Sequence, residues 1–157
     1  MKFKLPLLAV RDVEVSKAFY GELFDQEVTL DLGWNVTFSG GFAIQQNFSW
    51  LTGIPSECIS EKPNNMELYF ETDDFDGFLD KLAARCDVEY VHPVRRHDWM
   101  QRVVRIYDPD HHIIEIGESM AGLARKLAAG GHGVKEICEM IQHPAAFVEA
   151  AISGEID

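Results

Sequence analysis

Residues 10–24, VRDVEVSKAFYGELF, follow a short apolar run and read as the entry into a helix. Asp12 is placed to cap it, its carboxylate accepting a free backbone N–H of the first turn. Val15, Ala18, Phe19 and Leu23 then recur at helical spacing, which predicts a helix over 13–24 with one buried stripe. Upstream, residues 4–10 are apolar and suit a buried strand. Downstream come three short strand-like pieces, 27–31, 35–38 and 42–46, punctuated by Gly33 and by Gly40-Gly41. The order is strand, helix, strand, strand, strand.

The second half repeats it. Residues 66–72 read as a strand and Asp73-Asp74 supplies the cap. Phe75, Phe78, Leu79 and Leu82 give the stripe of a second helix. Strands are expected at 88–91, 103–107 and 113–116, with Asp108-Pro109-Asp110 as the turn between the last two. Superposing the halves puts Asp12 on Asp74 and Leu5 on Glu67, both 62 apart, and Gln45 on Glu115, 70 apart. The second copy therefore carries about eight extra residues, placed around 92–101. Two copies are too few for a solenoid and point to one pseudo-symmetric sheet assembly. The intervening 47–65 holds Gly53, Pro55 and Pro63 and reads as a linker or a loop over the site, with Phe48 and Trp50 apolar enough to pack on something.

Composition narrows the function classes. The chain has 157 residues and a net charge of −12, enough for one domain with a small appendage. Such an acidic surface repels phosphate backbones and anionic lipid, so neither nucleic acid nor membrane is expected as a partner. Cys58, Cys86 and Cys138 are odd in number, far apart and form no CxxC pair. That argues against a disulfide framework or a thiolate metal site and suits a reducing cytoplasm. The early apolar run 5–10 contains Pro6 and is too short for a signal-peptide core or a membrane span, so a cytoplasmic location is expected.

Tandem βαβββ units, with VRDVEVSKAFYGELF after the first strand and YDPDHHIIEIGE at 107–118, resemble the vicinal oxygen chelate superfamily. That superfamily contains glyoxalase I, bleomycin-resistance proteins, fosfomycin-resistance enzymes and extradiol dioxygenases. The resemblance covers residues 1–118, as modules 1–46 and 66–118. It implies an α+β fold whose eight strands form a half-open, cup-like sheet around a cleft. In the enzymes of the family a divalent metal sits there, chelated by two neighbouring oxygens of the substrate. Its ligand positions carry over onto Leu5, Gln45 (or Gln46, if the register slips), Glu67 and Glu115. Leu5 cannot bind a metal and a glutamine amide is a feeble donor, so the three His or carboxylate ligands of a catalytic zinc site are not supplied. Glu67, Glu115 and the Gln45 amide suit Mg²⁺ or Mn²⁺ better than Zn²⁺. One divalent ion (Mg, Mn, Ni or Zn) and none at all both remain open.

A carboxylate buried in an apolar strand needs compensation: a cation, an arginine or a shared proton. Arg95, Arg96, Arg102 and Arg105 are near in sequence. The stretch 93–102, PVRRHDWMQR, is the densest chemical cluster. His97 is its candidate general acid or base, Trp99 a pocket wall and Arg102 a contact for an anionic ligand. A solvent-facing loop is the bland alternative. Tyr69 shares the face of Glu67 and Glu71 by alternation and is a candidate ligand contact, as is Gln45. His111 and His112, as strand neighbours, would point to opposite faces and read as turn and edge residues.

From 119 to 157 the pattern changes to short helices. Met120, Leu123, Ala124 and Leu127 form one stripe ended by Gly130-Gly131; Val134, Ile137 and Ile141 form a second; Pro144 starts a third with Phe147, Val148, Ala151 and Ile152 facing inward. Arg125, Lys126 and Lys135 stand against Glu136, Glu139, Glu149, Glu155 and Asp157, and 144–152 has no Lys or Arg to meet phosphate, so DNA binding is not expected. Dimerisation or covering of the sheet is expected of these stripes.

Three functions compete. The first is a small-molecule binder of the bleomycin-resistance type, a homodimer holding an aromatic or anionic ligand in its cleft. The second is a divalent-metal-dependent lyase, isomerase or transferase using Glu67 and Glu115, with His97 as acid or base. The third is a structural or regulatory module, hinted at by the tail alone.

Overall fold

The computed structural model, described over residues 1–156, follows the expected element order. The first repeat contains β1 (Leu7–Val10), α1 (Val13–Phe24), β2 (Val28–Asp31), β3 (Asn35–Phe38) and β4 (Ala43–Gln46). Its four-stranded sheet has the order β1-β4-β3-β2, with β1 parallel to β4 and Ala9 opposite Gln45, and the other pairs antiparallel. The linker contains α2 (Phe48–Thr52) and a short 3₁₀ turn, Ser56–Cys58. The second repeat contains β5 (Glu67–Thr72), α3 (Phe75–Ala83), β6 (Tyr90–Arg96), β7 (Arg102–Tyr107) and β8 (Ile113–Glu118), in the corresponding sheet order β5-β8-β7-β6. Both sheets are mixed and neither closes into a barrel, an α+β architecture. Three helices follow: α4 (Met120–Ala129), α5 (Val134–Ile141) and α6 (Ala145–Ser153).

Helix α1 starts where its cap dictates: the Asp12 carboxylate accepts from the amides of Glu14 at 2.8 Å and Val15 at 3.3 Å. Its buried face is rotated from the expected stripe. Val13, Ser16, Phe19, Tyr20 and Leu23 are buried, whereas Val15 is 51% exposed. The pivot is Tyr20, whose ring packs against Phe19, Phe38 and Phe42 and whose hydroxyl donates to Asp108 at 2.8 Å. A pattern counted on aliphatic side chains does not register such an anchor.

Two strand boundaries also move. β1 begins at Leu7, because Pro6 has no amide to donate and contributes only its carbonyl, which accepts from Ala43 at 3.0 Å. Leu5, aligned with a ligand position, thus precedes the strand. β6, expected at 88–91, instead runs through Pro93 to Arg96. It is an edge strand, and its register shifts on both sides of His92, the setting in which a sheet tolerates proline. The extra residues of the second repeat are therefore a lengthened β6–β7 hairpin rather than a loop. It turns over His97–Met100, where Met100 N donates to His97 O and His97 N to Gln101 O, both at 2.9 Å.

The chain folds as two compact units. One comprises Met1–Glu67, Asp87–Glu89 and Tyr107–Ile113; the other comprises Leu68–Cys86, Tyr90–Ile106 and the chain from Ile114 onward. In the second unit the tail stripes meet one another. Met120, Leu123, Ala124, Ile137, Ile141, Val148 and Ala151 form one buried cluster, with Trp99 and Met100 of the hairpin packed against it. Ile152, expected inside, is exposed. Asp157, counted with the acidic tail residues, lies outside the described residues.

Candidate functional site

The turn between β7 and β8 sets the register of everything chemical in the second repeat. Asp108 N donates to His112 O at 3.0 Å. The buried Asp108 carboxylate accepts from Asp110 N at 2.9 Å, His112 N at 2.8 Å and the Tyr20 hydroxyl, and His112 Nδ1 lies 2.8 Å from it. Asp110 in turn accepts from Arg11 N at 3.0 Å and Arg11 Nε at 2.8 Å. With the turn fixed this way, counting outward from the Asp108–His112 pair sets Arg105 opposite Glu115 and Arg102 opposite Glu118. Alternation along the strands then sends the two pairs to opposite faces of the sheet.

On one face, Arg102 is clasped by its own fold. Its guanidinium donates to Asp76 of α3 at 2.7 and 3.2 Å and to Glu118 at 2.7 Å, and lies 5.0 Å from the centroid of the Phe75 ring. Burial alone would push the Glu118 carboxyl up, but the side-chain and backbone donors of Arg102 outweigh it and hold it below its ordinary value. Hydrogen bonding to Arg102 likewise lowers Asp76. Arg102, named as a candidate ligand contact, links α3 and β8 through Asp76 and Glu118.

The other face carries a polar chain. Glu115 is only 6% exposed, and its carboxylate is ion-paired with the Arg105 guanidinium. Arg105 Nη1 donates to His92 Nε2 at 3.2 Å, which leaves His92 Nδ1 to donate to the Pro93 carbonyl at 2.8 Å. Towards the hairpin turn, Gln101 Nε2 donates to the Tyr69 hydroxyl at 2.6 Å and to the Glu118 carbonyl at 2.8 Å, while Gln101 Oε1 accepts from Trp99 Nε1 at 2.9 Å. Tyr69 donates to Glu71 at 2.6 Å, and the other Glu71 oxygen accepts from Met120 N at 3.1 Å. Gly117 makes this approach possible, for a Cβ there would lie 2.5 Å from Gln101 Nε2 and 3.2 Å from the Tyr69 oxygen. Burial, with the Glu71 carboxylate, raises the Tyr69 phenol above its ordinary value, so it keeps its proton while its ring stays 48% exposed.

The remaining expected site residues are distributed as follows. Gln45 is buried on β4 with its amide spent: Oε1 accepts from Asn35 Nδ2 at 3.0 Å and Nε2 donates to the Gln46 carbonyl at 2.6 Å. Glu67 is exposed at the start of β5. His97 sits in the hairpin turn, its ring stacked on Trp99 at 4.1 Å and 14°. Among the described residues no hydrogen bond joins it to Glu115, whose partner Arg105 lies five residues beyond Met100, roughly 17 Å along the strand. Among the described residues no group of three or more His, Cys, Asp or Glu side chains could hold a metal ion. The donor set fits the superfamily's metal poorly: the Gln45 oxygen is committed and the Glu115 charge is matched by an arginine. His92, Gln101 and Glu71 join the chain without having been singled out as ligand contacts. A separate cavity of about 220 Å³ in the first unit is lined by Arg11, Phe48, Ile59, Glu61, His111 and His112.

Against known families, residues 3–121 match the model of the glyoxalase-like domain. This chain belongs to the glyoxalase-like family. A protein of unknown function from Agrobacterium tumefaciens str. C58 is 41% identical, over 76% of this chain and 94% of that one, with a TM-score of 0.65. A glyoxalase-related enzyme from Fulvimarina pelagi (20% identity, 76% and 88% coverage, TM-score 0.62) shares the glyoxalase-like fold. So does the fosfomycin resistance protein FosX from Listeria monocytogenes (20% identity, 76% and 93% coverage, TM-score 0.55). No curated protein gives a significant match. The glyoxalase-like region ends as α4 begins, and no described helix is long and apolar enough to cross a membrane.

Proposed function

We propose that this glyoxalase-like protein binds a small organic molecule, aromatic or anionic, on the Tyr69 face of its second sheet, without a metal ion. The Arg105–Glu115 ion pair carries the reading. At the position where the family presents a carboxylate to a divalent cation, this chain supplies the compensating positive charge from its own β7. A ligand ring can lie on the exposed Tyr69 side chain, whose hydroxyl Gln101 and Glu71 hold in place. The alternative, a metal-dependent lyase, isomerase or transferase working through Glu67 and Glu115, would need Arg105 to release Glu115, and no observation favours that.

The test is metal content by mass spectrometry on untagged protein, followed by titration with Mn²⁺, Ni²⁺ and Zn²⁺ while thermal unfolding is monitored. The expected result is no stoichiometric metal and no stabilisation. A bound metal, or a stabilisation lost in Glu115→Gln, would replace this reading with the metal-dependent one. We further propose a homodimer in a reducing cytoplasm. Free Cys58, Cys86 and Cys138 support the compartment, and exposed Leu30, Leu32, Trp34 and Trp50 in the first unit support the association.

A further inference from the structure

We propose that the cleft between the β6–β7 turn and α4 is a second binding site, for a small monocarboxylate with a short apolar body. The cleft has a volume of about 230 Å³. Its apolar wall is Met100 from the turn with Leu123 and Leu127 from α4, all part of the tail cluster. Its charged lining is Arg96, Arg102, Lys126 and Glu118. Arg102 is already shared between Glu118 and Asp76, so these three groups leave one negative charge near Lys126. Arg96 uses only Nε, donating to the Met100 carbonyl at 3.1 Å, and among the described residues neither its terminal nitrogens nor Lys126 Nζ has a hydrogen-bond partner.

With Asp76 counted, Arg96, Lys126 and Arg102 face two carboxylates, so the balance is one net positive charge beside an apolar wall, in a chain whose net charge is −12. The chain's summed charge repels anions, and against it this cleft is a local attractor for one. A cation would be repelled by Arg96 and Lys126, and a neutral polar molecule would gain their hydrogen bonds but no charge pairing. Inorganic phosphate would leave the Met100, Leu123 and Leu127 surface uncovered and would set its charge against Glu118. A carboxylate can be held by the guanidinium edge of Arg96 and the ammonium of Lys126 while its apolar body covers the wall. The volume lies below the usual range of about 300–1,000 Å³ for drug-sized ligands, so the body is short. The cleft lies on the Arg102 side of the sheet, independent of the Tyr69 face, and three of its seven lining residues, Leu123, Lys126 and Leu127, come from α4 beyond the glyoxalase-like region.

The test is an NMR titration of the full chain, labelled with ¹³C at the methionine methyls, using hexanoate as the probe and hexan-1-ol and inorganic phosphate as controls. The Met100 methyl, assigned through Met100→Leu, is expected to shift saturably with hexanoate while Met66 stays still. Affinity is expected to fall about tenfold or more in Lys126→Glu and in Arg96→Glu, and neither control should reproduce the shift. Both substitutions are at exposed positions, and an unchanged Trp99 indole N–H resonance would certify folding. A still Met100 methyl, equal binding by the charge-reversed variants, an equal response to hexan-1-ol, or phosphate binding as tight as hexanoate would each overturn the proposal.

Discussion

Removing Arg105 would strand a buried carboxylate, and that asymmetry makes the pair measurable. Breaking a buried ion pair by deleting one partner costs about 3–5 kcal/mol, whereas replacing both by apolar groups is far cheaper. Arg105→Met is therefore expected to lower the unfolding free energy by about 3 kcal/mol, and Arg105→Met with Glu115→Leu to recover most of it, as measured by urea unfolding. At Gly117 the expectation is different. The atom that an added Cβ would displace is the tip of a flexible glutamine, so Gly117→Ala should cost less than about 1 kcal/mol. It should nevertheless unseat the Gln101 amide, and the Trp99 indole N–H resonance should move while those of Trp34 and Trp50 stay. Glu115 and the need to compensate its charge were legible in the sequence, which offered Arg105 as one of four nearby arginines; the turn register then selects it. The Gln101–Tyr69 contact was not, because it depends on a missing side chain on a third strand.

At the scale of elements, the β7–β8 turn and the α3 clasp make separate predictions. His111 ends the turn with φ of 65°, in the left-handed region that favours glycine. His111→Gly removes the side-chain strain at a smaller cost in unfolded-state entropy, so it is expected to stabilise the fold by up to about 1 kcal/mol, read from the midpoint of thermal unfolding. The clasp depends on pH. The folded-state value of Glu118 is lowered, so its contribution is fully present above the unfolded carboxylate value of about 4.3 and is lost as pH falls through the lower folded value. Wild-type protein should thus lose melting temperature more steeply below about pH 4 than Glu118→Gln does. Periodicity located α1 and α3 and the caps Asp12 and Asp74 because these depend on a few neighbouring residues. It misplaced β6, because a proline inside a strand is tolerated only once the strand is known to be an edge.

For the whole molecule, the tail helices spend their apolar stripes on one another and on the hairpin, so the proposed dimer is assigned to exposed apolar side chains such as Leu30, Leu32, Trp34 and Trp50 of the first unit. Light scattering at micromolar concentration is expected to give twice 17.8 kDa, and a monomer mass would refute the dimer. The duplicated βαβββ order, the helix caps, the DPD turn and the acidic charge were determined by the sequence alone. Each rests on residues within a few positions of one another, or on sums that need no geometry. Tertiary structure decided which face each side chain serves. One strand alternation sends Arg105 to Glu115 and Arg102 to Asp76 and Glu118, and folds Trp99 into the tail. Those assignments depend on strand order and on what covers each face, which are set by contacts between residues distant in the chain.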